Sequence, residues 1–143
     1  MPKHAVILIA SLAIGTTALA HSGVKNPQVQ AWMQGMEQIS AATKVLGNMA
    51  RGRADYDSDA AEAAKAALVS HATDIPVLFK AQETDPKSDA LPAIWEDYAD
   101  FTEKAGALRV AAEQLDTSSA DAIGAGMRAV GATCKSCHGA YRR

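Results

Sequence analysis

In the last stretch of the chain, Ile123, Met127, Val130, Cys134, Cys137 and Tyr141 recur at steps of four, three, four, three and four. Only an α-helix brings residues at that spacing onto one face, and a seam of this heptad-like kind is stable only when other helices cover it. The chain must therefore supply those helices, and a sheet-based fold is excluded for this segment. The seam also contains both cysteines of the protein, Cys134 and Cys137, with His138 directly after the second. Whatever chemistry those groups perform takes place on the face that the pattern turns toward the interior.

Three further stretches show the same period. In the first, Asn26 is suited to cap a helix and Pro27 to open it. From there Val29, Trp32, Met33, Met36, Ile39, Thr43, Leu46 and Met49–Ala50 form one stripe, with Gly52 as the stop. The second opens at Asp57 or Ser58, with acidic residues in its first turn, and runs through "AAEAAKAALVSHATDIPVLF". Pro76 lies inside it and predicts a kink or a loosened last turn. Residues 80–90 form a polar loop. A third helix is predicted from about Ala90 to Leu115, burying Leu91, Ile94, Trp95, Tyr98, Phe101, Ala105, Leu108 and Ala112. Ser118 or Ser119 then caps the fourth. Alanine is abundant and aromatic residues make up only 5% of the chain, which favours helix over strand. Four amphipathic helices with short links predict an all-α fold, an antiparallel up-down four-helix bundle.

The N-terminus has the pattern of an export leader. Lys3 and His4 form a short basic region, "AVILIASLAIG" an apolar core, and Ala18–Leu19–Ala20 a small-x-small cleavage site. The expected organisation is a secretory signal peptide over residues 1–20 and one helical domain over 21–143. The apolar stretch is too short and too soon followed by polar sequence to be a membrane span, so no stable membrane insertion is expected after cleavage. A formal charge of −2 carries no signature of nucleic-acid binding.

Three chemistries could use two cysteines and a histidine at this spacing. A redox dithiol of the C-x-x-C type belongs at the start of a helix that follows a strand, and no such context exists here. Structural zinc takes four ligands, usually as two separated pairs, and apart from this cluster the mature chain offers only His21 and His71. Covalent haem attachment uses what is present: two thiols one turn apart for thioether bonds, and an adjacent histidine for the iron. Cys134, Cys137 and His138, at i, i+3 and i+4, converge on one wall.

"CKSCHGAYR" at the end of an exported helical bundle resembles the cytochrome c′ family, the class II c-type cytochromes. The likeness extends through "VLGNMARGRADYD", "LFK" at Leu78 to Lys80, and "AIWEDYADF" at Ala93 to Phe101. The resemblance implies one haem c per chain, covalently attached at Cys134 and Cys137, with His138 as the proximal iron ligand and Arg142 as a basic residue near the haem. It places the distal position sixteen residues before the glycine that ends the first helix, at Met36. Methionine is a ligand type that cytochromes use, and low-spin relatives carry a ligating methionine at this place. Met33, nearly one turn earlier, is the alternative ligand, and core filling is the plain structural role for Met36. Five-coordinate members often carry arginine where this chain has Trp32, and that departure leans toward six coordination.

His71 is a candidate alternative axial ligand as well as an ordinary helix-surface histidine. His21, as a new N-terminus, is a weak copper candidate. The expected function is that of a periplasmic monohaem cytochrome that passes single electrons between redox partner proteins through His/Met-ligated iron, and not that of an enzyme with its own substrate. The rival readings are a five-coordinate protein that binds nitric oxide or carbon monoxide, and, more distantly, a haem-free dithiol protein. Members of the family are often antiparallel dimers through their first two helices, so a homodimer is a further expectation.

Overall fold

A computed structural model describes residues 23–143. Its helices are α1 (Pro27–Ala50), α2 (Ser58–Leu78), α3 (Ala93–Glu96), α4 (Tyr98–Glu113) and α5 (Ala120–Tyr141). The expected leader and His21 lie outside the described residues. No strand is present among the described residues, and none of their helices is long and apolar enough to cross a membrane.

The helix starts follow the caps read from the sequence. The Asn26 side chain accepts from the amides of Gln28 and Val29 at 2.9 and 3.2 Å, and Pro27 follows it. Asp57 caps α2 through the amide of Ala60, and Ser119, not Ser118, caps α5 through the amide of Ala122. Each bond satisfies one of the amide donors that a helix start leaves without an intrahelical partner. At the other end of α1, Gly52 takes φ +63°, the left-handed turn that glycine adopts without a Cβ clash.

The third segment differs from its expected form. Instead of one helix from 90 to 115, a single turn (α3) stops at Asp97, whose backbone leaves helical geometry at φ −133°, ψ 66°. Its carboxylate instead accepts from the amide of Asp100 at 3.1 Å and starts α4 afresh. A side-chain acceptor that competes with the backbone pattern wins here. Pro76 acts as expected: α2 ends two residues later, in a loosened last turn where the amide of Lys80 reaches Val77 O at 3.4 Å.

The four long helices form a ring, α1 against α2 and α5, and α4 against α2 and α5. Their directions alternate. The start of α1 meets the segment after α2, where the amides of Lys25 and Asn26 donate to Asp85. The start of α2 meets the end of α4, where Tyr56 donates to Thr117 O. The amide of Leu91, just before α3, donates to Tyr141 O at the end of α5. This is the antiparallel four-helix bundle that the periodicity predicts. Its centre is filled by Val29, Leu46, Leu68, Leu115, Ile123 and Val130, each less than 2% exposed.

One end is packed differently, with aromatic rings. Trp32 stacks on Phe79 at 4.8 Å and leans on Trp95 at 5.4 Å, while Phe101 joins Phe79 at 5.3 Å and meets Tyr141 edge-on at 5.4 Å. These side chains also finish α2. The indoles of Trp32 and Trp95 donate to Leu78 O and Phe79 O at 2.6 and 2.8 Å, Gln28 Nε2 donates to Leu78 O at 2.6 Å, and Tyr98 donates to Pro76 O. Carbonyls that a helix C-terminus leaves without donors are thereby satisfied, and the aromatic end is fixed as one piece.

Candidate haem site

Beside the aromatic cluster the bundle opens into a cavity of about 510 Å³. The seam on α5 behaves as its spacing predicts. Ile123, Val130 and Tyr141 are buried, and Met127, Cys134 and Cys137 pack partly buried against the core. Cys134, Cys137, His138, Tyr141 and Arg142 all line the cavity. Helix α1 contributes Trp32, Met33, Met36 and Ile39 to the lining, and Ile75, Phe79, Ile94, Phe101 and Leu108 add further apolar wall. Both candidate methionines, Met33 and Met36, are thus brought to the same space as the cysteines. His71 is not: it sits partly buried on α2, away from this lining.

The electrostatics of the cluster bear on the three chemistries. Burial pushes both thiols above their ordinary pKa. Redox and catalytic cysteines need the opposite, a stabilised thiolate, so the cavity disfavours a dithiol oxidoreductase. Among the described residues no three His, Cys, Asp or Glu side chains are grouped to hold a metal ion by themselves. Burial, helped by the nearby Arg142 charge, pushes His138 below its ordinary value, toward the neutral imidazole that can bind iron.

Two polar clamps hold α5 in register behind these groups. Tyr141 donates to Asp100 at 2.5 Å, and Lys104 lies 3.4 Å from the same carboxylate. Arg142 pairs with Asp89 at 3.3 Å, and the backbone at Ala90 and Arg142 forms an antiparallel bridge. The amide of Arg143 adds a bond to Asp89 O at 3.0 Å. The end of α5 is therefore tied to both α4 and the 88–91 segment, so the rotation that brings Cys134, Cys137 and His138 to the cavity is fixed from two sides.

Several lining residues gave no signal in the sequence. Lys87, Ser88, Asp89 and Ala90 border the cavity although they belong to a polar loop, and Lys104 and Glu37 border it from helix positions outside the apolar stripes. Nothing periodic marks such residues, because their place depends on contacts between segments far apart in the chain.

The cavity suits the group that the motif implies. Its volume lies in the range of about 300–1,000 Å³ typical of cofactor pockets, its walls are apolar, and its donor set is two thiols, one imidazole and two thioethers. A helical bundle with such a cavity beside a C-x-x-C-H motif defines a c-type cytochrome of the bundle class. The comparisons with known proteins agree. The family model for cytochrome C' matches residues 27–142. A cytochrome c-556 from Agrobacterium tumefaciens (strain II Chrys) is 36% identical over 110 residues, covering 75% of this chain and 89% of the relative. The structure of cytochrome c′ from Rhodopseudomonas palustris superposes with a TM-score of 0.75 at 29% identity, over 83% of this chain and 98% of that one. A variant of cytochrome c prime from Alcaligenes xylosoxidans, solved as its nitric oxide complex, gives a TM-score of 0.71 at 28% identity, over 81% and 94%. The chain belongs to the cytochrome c′ family: it is a monohaem class II c-type cytochrome with one covalently attached haem c.

Proposed function

We propose that this cytochrome is an electron carrier of the periplasm, in which Cys134 and Cys137 form the thioether bonds, His138 is the proximal iron ligand and Met36 the distal one. The observation that carries this reading is that the motif residues of α5 and Met33 and Met36 of α1 line one cavity. When bound there, the haem supplies a one-electron Fe(III)/Fe(II) couple. The protein's part is to hold and tune it. Cys134 and Cys137, one turn apart on a helix clamped by Tyr141 and Arg142, fix the group to α5. The neutral His138 ring offers its lone pair, and Met36, partly buried on α1, offers a thioether of the kind that raises a haem potential. Ile39, Phe79, Ile94 and Phe101 exclude water and disfavour the more highly charged ferric state. With His138 and Met36 holding the iron, the haem would have no position open to a substrate, and the protein would pass electrons between redox partner proteins.

Residues 1–20 are read as the export leader that delivers residues 21–143 to the periplasm, where haem attachment takes place. Arg142 is read as the basic residue near the haem. Met33 is the alternative distal ligand, since it lines the same wall. A second functional reading, a five-coordinate iron that takes nitric oxide or carbon monoxide, is favoured by one observation: the Alcaligenes xylosoxidans neighbour was solved with nitric oxide bound.

The Met36→Ala variant tests the assignment. Its ferric spectrum turns high-spin while Met33→Ala stays low-spin. The reverse pattern moves the ligand to Met33, and an unchanged spectrum in both variants rules out both Met33 and Met36.

A further inference from the structure

Haem carries two carboxylates, on the half of the macrocycle opposite the vinyl groups that become thioethers. If the cysteines of α5 hold the vinyl half, as proposed above, the carboxylate half lies across the cavity from them and needs a cation there. On α1, Trp32 is buried and its indole N–H is already committed to Leu78 O at 2.6 Å, and no lysine or arginine of α1 lines the cavity. Among the described residues three cations do line it: Lys104, Arg142 and Lys87. Lys104 is paired with Asp100 at 3.4 Å and stands close enough to Cys137 to influence its thiol, which puts it on the vinyl side. Arg142 is paired with Asp89 at 3.3 Å. Lys87 has no carboxylate partner among the described residues.

The backbone that carries Lys87 is fixed. The Asp85 carboxylate accepts from the amides of Lys25 at 2.8 Å, Asn26 at 3.1 Å and Lys87 at 2.9 Å, and the amide of Ser88 closes a turn onto Asp85 O at 2.9 Å. One carboxylate thus welds the loop to the start of α1. The lysine side chain lies along the segment that leads into that helix, with its Cε 3.7 Å from where a Cβ on Gly23 would stand. A cation that lines the cavity on a fixed backbone, with no acidic partner among the described residues, is what a haem carboxylate requires.

We propose that Lys87 is the cation that binds a haem carboxylate in this protein. The other charged groups of the lining are Glu37, Asp89, Lys104 and Arg142, and the last three are engaged with one another or with Asp100 as described.

The test uses the full holoprotein with haem labelled by ¹³C at its carboxyl carbons, followed by NMR against pH in the ferrous state. Lys87→Gln lowers the acidity constant of one carboxyl roughly threefold to tenfold. Lys87→Arg restores it, and Lys80→Gln, which removes a lysine outside the lining, leaves both carboxyls unchanged. Unchanged titrations in Lys87→Gln, or an equal change in Lys80→Gln, overturn the assignment. Each sample is also extracted with acid–acetone. Release of the haem overturns the cysteine attachment itself, whereas retained haem with unmoved carboxyls overturns only the role of Lys87.

Discussion

Leu78 O, near the end of α2, receives two donors, Trp32 Nε1 and Gln28 Nε2, each at 2.6 Å. This arrangement makes a non-additive prediction about the wall of the haem cavity. Trp32→Phe removes one donor but keeps a ring to stack on Phe79, and the carbonyl keeps Gln28. The cost is therefore a hydrogen bond of about 1 kcal/mol plus a small loss of packing, about 1–2 kcal/mol in all. Gln28→Ala alone leaves the Trp32 bond in place and costs about 0.5–1 kcal/mol. In the double variant the partly buried carbonyl has neither donor, and the desolvation of an orphaned acceptor adds about 1–2 kcal/mol beyond the sum. Trp32→Ala sets the scale, at about 3–5 kcal/mol for emptying a buried aromatic site. Urea unfolding of the four holoproteins, followed by circular dichroism, closes the cycle. Additivity within about 0.5 kcal/mol would refute the shared-acceptor reasoning, and with it the claim that Trp32 is held in place by the end of α2.

Other perturbations follow from the same geometry. With both thiols removed, in Cys134→Ala/Cys137→Ala, acid–acetone extracts the haem, while either single variant still retains it through one bond. Retention by the double variant would refute the attachment. The hydrogen bond to Asp100 pushes Tyr141 up to about 12 from an ordinary value of 10. Stability from that pair is therefore complete below pH 10 and is lost as pH rises toward 12. Asp100 is held below its ordinary 3.8, chiefly by the same bond, so its contribution is present above that value and is lost as pH falls through the lowered one. Urea midpoints measured across both ranges show these slopes in the native protein and not in Tyr141→Phe. Equal slopes in the two proteins would refute the pairing.

Much of this architecture was legible in the residues. The seam from Ile123 to Tyr141 specified a covered helix, and burial of Ile123, Val130 and Tyr141 follows from it. Asn26 and Gly52 marked their boundaries, and the pairs Asp57/Ser58 and Ser118/Ser119 narrowed theirs to two residues, because capping and left-handed turns are local chemistry. The break at Asp97 was not legible, since apolar spacing continues across it and only the choice of its carboxylate to cap Asp100 ends the first turn. The cavity was half legible. The residues on helix faces, Met33, Met36, Cys134, Cys137 and Phe101, were found by period. Lys87 and Asp89 were not, because Asp85 holds their loop through partners 59 and 60 positions away, which no local pattern records. His71 shows the converse: a residue type suited to iron, on a helix, that the fold turns away from the site.

The central claim is that His138 and a methionine of α1 fill both axial positions of the iron. Electron paramagnetic resonance of the purified native ferric protein tests it most directly, paired with exposure of the ferrous protein to carbon monoxide. Six coordination by His138 and Met36 predicts a low-spin ferric signal and no ready uptake of carbon monoxide. A high-spin ferric signal with immediate carbon monoxide binding would contradict it and would make the protein a five-coordinate gas binder.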